Sequence, residues 1–170
     1  MIDIKFDTYD GTFRLKSFII MKNDGKILLD KTKDNIFYCL PGGFIELGDS
    51  SKDYAKKEAK KILGVDVKVE KLVAVHENFF QREDLKVLQE LAFYYLCTPL
   101  EPEKLKKHNF SLYESDKGEF IKHQLFWTDE ESLKNLDFRP LAVRDILFKD
   151  LSETEVIISR DKFQSICDKY

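Results

Sequence analysis

Leu40-Pro41-Gly42-Gly43-Phe44-Ile45-Glu46-Leu47-Gly48-Asp49, and the run from Ser50 to Leu63-Gly64-Val65, decide the fold. Pro41 cannot donate to a strand ladder, and paired glycines allow backbone angles closed to other residues. A short strand over 36–40 is therefore expected to end in a turn at Pro41-Gly42-Gly43. The next stretch reads as a helix over 51–63. Ser50 is a natural N-cap with Asp53 three residues on, a shortened capping box, and Gly64 sits where a left-handed C-terminal glycine belongs. On a wheel at about 100° per residue, Tyr54, Ala55, Ala59, Ile62 and Leu63 form one apolar arc. Glu58 lies inside it, four residues after Tyr54 and four before Ile62. A carboxylate on an inward stripe must be desolvated and needs a partner: a backbone donor, a cation such as Lys57 or Lys61, or a metal. Two readings stay open. Glu58 ties the Gly-rich segment to the helix, or strand, Gly-Gly turn and helix gather backbone groups and one carboxylate into a metal–phosphate site.

Outward from this stretch, residues 13–21 are rich in β-branched and aromatic side chains, Asn23-Asp24-Gly25 supplies a turn, and 26–31 resumes an apolar strand, which reads as a hairpin. After Val65 the period changes to two, and 72–80 continues as an apolar strand. A polar turn over 81–86 leads to 87–97, its antiparallel partner. Beyond Thr98-Pro99 the sequence is polar as far as a strand over 122–127. Short helices are expected near 129–135 and over 140–148, then a strand over 156–158 and a helix over 161–169. Strands dominate and helices cover the ends, so the expected class is a mixed α/β (α+β) domain spanning 1–170.

Composition narrows the function. The chain has 170 residues, 43% of them hydrophobic and 35% charged, with 28 basic against 31 acidic residues and a net charge of −3. That is one domain's worth of chain with apolar mass for a core, and without the polybasic signature of general nucleic-acid or membrane binding. The start carries acids and no apolar core of a signal peptide. The longest apolar run, 91–97, is far below the ~20 residues that span a bilayer. Cys39, Cys97 and Cys167 are widely spaced and form no CxxC, which argues for reduced thiols in a cytoplasmic setting. His76, His108 and His123 show no metal-ligand spacing, and His76, in an apolar strand, reads as a core residue. Phe79, Phe80, Tyr94, Tyr95, Phe126 and Trp127 could form a base-stacking wall, but neighbours in a strand face opposite ways, so about half belong to the core. No Gly-x-Ser-x-Gly, P-loop or Cys/His constellation competes, so the expected nucleophile is water.

Taking Gly43 as first position, residues 43–65 resemble the Nudix box. That box is a glycine, five residues, a glutamate, seven residues, Arg-Glu, an apolar residue, any residue, Glu-Glu, any residue, a glycine and an apolar residue. The spacing fits without a gap. Phe13-Arg14, Glu77-Asn78-Phe79-Phe80, the run Gln89-Glu90-Leu91-Ala92-Phe93-Tyr94-Tyr95, Trp127 and Pro140 extend the resemblance over about 10–148, leaving 149–170 as a C-terminal extension. The resemblance implies a Nudix-type mixed sheet flanked by helices and hydrolysis of a nucleoside diphosphate linked to another moiety. Mg²⁺ or Mn²⁺ would be held by helix carboxylates, and a homodimer is common among such proteins. It further implies Glu58 as the main catalytic and metal-binding carboxylate, Lys57 as its orienting neighbour, and Asp49, Glu90 and Gly43 as further metal ligands. Arg14, Gly42, Gly43 and Lys61 are implied on the substrate.

The departures from the box bear on chemistry. Asp49 stands at the first glutamate, and Lys57 replaces the arginine, keeping the charge but not the planar fork. Lys61 and Ile62 replace the paired glutamates. A unit charge about 4 Å away is worth about 4 kcal/mol at an effective dielectric near 20, so an inward Lys61 would oppose a divalent cation. Three outcomes follow: one cation on Glu58, Glu90 and the Gly42-Gly43 carbonyls; Lys61 in place of the cation, binding phosphate without activating water; or a helix that is scaffold only. The lysines at 52, 56, 57, 60 and 61 read either as a solvated face or as a phosphate-facing patch.

Overall fold

Asp24 and Gly25 take left-handed backbone angles, with φ of 48° and 73°. Two such residues in succession make the tight turn that matches the twist of paired strands. They join β3 (Lys22–Asn23) to β4 (Lys26–Thr32) as the sequence predicts. The computed structural model of the chain describes residues 2–32, 36–82, 86–105, 111–116, 119–150 and 152–162. The remaining strands are β1 (Lys5–Asp7), β2 (Gly11–Ile20), β5 (Gly42–Phe44), β6 (Val67–Gln81), β7 (Val87–Pro99), β8 (Ser111–Asp116), β9 (Glu119–Thr128) and β10 (Glu155–Arg160). They form two sheets. One runs β1-β2-β7-β6-β10 with β5 also on β2, and the other runs β3-β4-β9-β8. β6 and β7 are antiparallel, as expected, while β2 with β7 and β10 with β6 are parallel.

Alternation along the strands builds two cores. Phe18, Ile20, Ile27, Leu29, Ala92 and Tyr94 face one way, under α2 (Glu130–Lys134) and α3 (Leu141–Arg144). Their chain neighbours Ile19, Met21, Leu28 and Tyr95 face the other way, under α1 (Ser51–Glu58). The six aromatics therefore do not assemble into one wall. Tyr94 stacks on Phe18 at 5.1 Å, Phe126 meets Tyr38 edge-on, and Trp127 Nε1 donates to the Leu105 carbonyl. Cys39 and Cys97 are free thiols, and burial pushes both up to about 12. Cys167 and His108 lie outside the described residues, as do residues 163–169 of the helix expected over 161–169. No helix among the described residues is long and apolar enough to cross a membrane.

Several local expectations need correction. The strand over 36–40 shrinks to single bridges, Asp30 with Cys39 and Tyr38 with Phe138. Gly42-Gly43 does not turn: it is an added strand, with Ser17 opposite Gly43 and Phe18 opposite Gly42. A Cβ on Gly42 would lie 2.8 Å from the Phe18 Cα, so close backbone approach selects glycine there. The helix over 51–63 is α-helical to Glu58 and widens into a π turn over Ala59–Leu63, ending at Gly64 with φ of 70°. Its cap is as predicted, with Ser50 Oγ accepting from the Asp53 N–H at 3.0 Å. The helix over 140–148 covers only Leu141–Arg144, capped at Pro140, and β8 lies in the polar stretch that gives no strand signal.

Candidate functional site

Two hydrogen bonds pin the start of α1 to the sheet. Ser17 Oγ donates to the Ser51 carbonyl at 2.9 Å, and Ser51 Oγ meets Tyr95 Oη at 2.8 Å. Ser17 is paired with Gly43, so Gly43 faces the helix as well. A Cβ on Gly43 would stand 2.6 Å from Tyr54 Oη and 3.0 Å from Glu58 Oε1. The missing side chain thus leaves a cradle that Glu58 fills. Glu58 is 5% exposed. Burial pushes its carboxyl above the usual carboxylate range, against the opposing pull of Lys61, the Tyr54 hydrogen bond and His123. Tyr54 is pushed up in turn, first by burial and then by the Glu58 charge. Lys61 Nζ lies 3.8 Å from Glu58 Oε2 on a half-exposed side chain. Ile62, standing where the box has its second paired glutamate, is buried among Ala59, Leu63 and Leu28.

Lys57 does not sit on Glu58. Its ammonium bridges Glu46 Oε2 and Asp49 Oδ2, each at 2.6 Å. These two carboxylates hold its pKa above the ordinary lysine value, Asp49 foremost. Asp49 therefore braces the segment leading into α1, and Glu46, which the sequence reading missed, shares that work.

Glu90 and Arg14 are elsewhere. They lie opposite each other in the β2–β7 pair, on the sheet face away from α1, because Arg14 is three residues from the helix-facing Ser17. Glu90 is buried and paired with Lys16 at 2.9 Å. It is not an edge charge, since β7 runs between β2 and β6. Arg14, Lys5 and Lys16 each lie within 5.1–5.8 Å of the Phe44 ring, and the buried Arg14 Nε has no hydrogen-bond partner among the described residues. The expected ligand set of Glu58, Glu90 and Gly43 is therefore not assembled: strand alternation puts the two carboxylates on opposite faces. No group of three His, Cys, Asp or Glu suited to a metal occurs among the described residues.

Two buried histidines complete the picture. His76 is a core residue as expected, with Nε2 at 2.9 Å from Ser159 Oγ and its pKa lowered by burial. His123 was not singled out by spacing, yet its Nδ1 lies 2.8 Å from Asp30 Oδ2. Ninety-three residues separate the two. No sequence window reports such a pair; the apolar run Ile27-Leu28-Leu29 does mark Asp30 as a carboxylate at the end of an apolar stretch.

No family model matches the chain. An ADP-ribose pyrophosphatase of Methanocaldococcus jannaschii is 39% identical over 62 residues, which is 35% of this chain and 37% of that protein. Among solved structures, a UDP-X diphosphatase superposes with a TM-score of 0.59 at 21% identity, covering 88% of this chain and 69% of that one. An ADP-ribose pyrophosphatase from Streptococcus suis gives 0.52 at 22% identity, covering 84% and 98%. A MutT protein from Bacillus halodurans gives 0.55 at 16% identity, covering 89% and 93%. With the ungapped spacing of 43–65, the α1–β5 contact and the mixed sheet, these likenesses show that the chain has the fold of the Nudix hydrolases.

Proposed function

We propose that the chain hydrolyses a nucleoside diphosphate linked to another moiety, with water as nucleophile and Glu58 as the essential carboxylate. The observation that carries this reading is Glu58 itself, desolvated against a glycine that leaves it room. Keeping an ionisable group in such a place costs stability, which argues for a use at that spot. The names of the similar proteins support the substrate class.

The donor set suits one cation rather than a cluster. Lys57 occupies Glu46 and Asp49, which leaves Glu58 as the carboxylate in the Gly43 cradle. Mg²⁺ commonly takes one or two protein carboxylates and completes its shell with water and substrate phosphates. Glu58 would hold such an ion together with the diphosphate oxygens, and when bound it would supply charge that polarises the diphosphate and makes a water more acidic. Lys61 then turns from Glu58 to a phosphate oxygen, which its half-exposed side chain allows. The free thiols of the partly buried Cys39 and the buried Cys97 support a reducing, cytoplasmic compartment.

The test is phosphatase-coupled phosphate release across nucleoside diphosphate sugars, dinucleoside polyphosphates and nucleoside triphosphates, with Mg²⁺ and Mn²⁺ run separately. Metal-dependent turnover that Glu58→Gln abolishes supports the reading; turnover unchanged by Glu58→Gln moves the chemistry elsewhere. The Lys61–Glu58 approach favours a second reading, a nucleotide binder in which the ammonium stands in for the cation. A flat panel beside thermal stabilisation by nucleotide without metal would select it.

A further inference from the structure

Lys31 on β4 and Gln124 on β9 stand opposite each other, and Lys122, two residues along β9, shares their side of the sheet. With Thr32 at the end of β4, they line an open cavity of about 320 Å³. Alternation fixes which side this is. Leu29, in step with Lys31, packs in the core under α2 and α3, whereas Leu28 packs under α1. The cavity therefore lies on the face turned away from α1, apart from the Glu58 cradle. Like charges side by side in a sheet repel and weaken it. Elsewhere the chain answers its lysines with carboxylates: Lys16 with Glu90, Lys57 with Asp49 and Lys60 with Asp66, at 2.6–2.9 Å. Lys31 and Lys122, both half-buried, have no such partner among the described residues. Lys31 lies instead over the Tyr38 ring at 4.6 Å, and Tyr38 meets Phe126 edge-on at 5.8 Å. The ring positions the ammonium without neutralising it. Diagonal neighbours in an antiparallel pair stand about 7–8 Å apart, so two lysine side chains can close on one anion between them.

We propose that this cavity binds a phosphate monoester, with Lys31 and Lys122 on the phosphate and with Gln124 and Thr32 on the polar body of the ester. Two ammonium groups match the charge of a dianionic phosphate. The volume is that of a small-ligand pocket, which starts at about 300 Å³, and a bare phosphate leaves most of it unfilled. The Gln124 amide can donate and accept, and so can the Thr32 hydroxyl, which suits the hydroxyl groups of a sugar. Hydrolysis of a nucleoside diphosphate derivative releases esters of this class, but occupation of the site requires no reaction at Glu58.

Calorimetry on the full chain without metal tests this, with ribose 5-phosphate, adenosine 5′-monophosphate and inorganic phosphate as probes. At least one ester should bind, and more tightly than inorganic phosphate; which one binds tells a sugar phosphate from a nucleotide. Lys31→Met and Lys122→Met should each weaken that binding by about tenfold or more, the loss expected for one charge-assisted contact. Lys122→Arg should keep most of it, and Glu58→Gln should leave it unchanged. Melting curves check folding, and should Lys31→Met be unstable for want of its Tyr38 contact, Lys122→Met beside Lys122→Arg carries the test. The proposal is overturned by no ester binding, by esters no tighter than inorganic phosphate, or by binding that survives both methionine substitutions. Loss of binding in folded Glu58→Gln overturns it as well, since it would place the ester at α1. A silent release panel leaves this site standing, and absent ester binding leaves the hydrolysis standing.

Discussion

Gly43→Ala, combined with Tyr54→Phe, probes the contact on which the site depends. An alanine methyl would stand 2.6 Å from Tyr54 Oη and 3.0 Å from Glu58 Oε1. Comfortable contact is about 3.5–4.0 Å, so the overlap with the hydroxyl is roughly 1 Å. Overpacking of this kind costs about 1–3 kcal/mol. At about 2–4 °C per kcal/mol for a chain of this size, the melting midpoint should fall by about 2–12 °C. Tyr54→Phe alone removes a hydrogen bond to the buried Glu58 carboxylate, a loss of about 1.5–3 kcal/mol. The double variant lacks the atom that clashes, so it should be less destabilised than the two losses together, by about 1 kcal/mol or more. Urea melts with unchanged slope on all four proteins measure this. Additivity within about 0.5 kcal/mol would mean that the methyl does not press on Tyr54. The account of Gly43 as the cradle of Glu58 would then be refuted.

Glu58→Gln should change the pH dependence of stability. Burial raises the Glu58 pKa, so above the ordinary carboxylate value the unfolded chain has lost a proton that the folded chain retains, and rising pH weighs against the folded state. The stability of the variant relative to the wild type should rise as pH rises from that value through the folded pKa, and a variant that instead loses stability relative to the wild type over that range refutes the sign. Lys61→Glu should tighten Mn²⁺ binding in calorimetry by about tenfold or more, since it replaces a half-exposed ammonium beside Glu58 with a second carboxylate, and unchanged or weaker Mn²⁺ binding in the folded variant would contradict Glu58 as the ion's ligand. Ile62→Glu puts an unpaired charge into the core beside Ala59 and Leu63 and should cost about 3–5 kcal/mol, so an Ile62→Glu protein as stable as wild type would contradict the placement of that side chain. Lys57→Met frees Glu46 and Asp49; these half-exposed pairs are worth no more than about 1 kcal/mol each. The loss should shrink in 1 M salt, where screening acts within about 3 Å, and a salt-independent loss would point to packing instead.

Local chemistry explains which parts of the fold can be read from the sequence. The Asp24-Gly25 turn, the Ser50 cap and the Gly64 stop each need only a few adjacent residues, and each stands as expected. Alternation does the same for β6 and β7. The misses share the opposite property. β8 has no apolar alternation and owes its existence to a partner, β9. Gly42-Gly43 carries turn residues, yet becomes a strand because β2 offers an edge and only glycine fits against it. The π turn carries Ile62 and Leu63 into the core, and no propensity scale encodes it.

The site divides along the same line. Helical period alone places Glu58 inward, and the structure adds Gly43 and Tyr54 around it. Period also tells what Ile62 does: its place on the apolar arc is a core place, and restoring a carboxylate there would work against the fold. Strand period, applied across the β2–β7 register, likewise separates Glu90 from Glu58, because residues an odd number apart face opposite ways. A ligand set chosen by family position overlooked that parity. Asp30 and His123 show the complementary case: Asp30 stands out in its own window as a carboxylate in an apolar strand, but only the β4–β9 register brings it to 2.8 Å from His123.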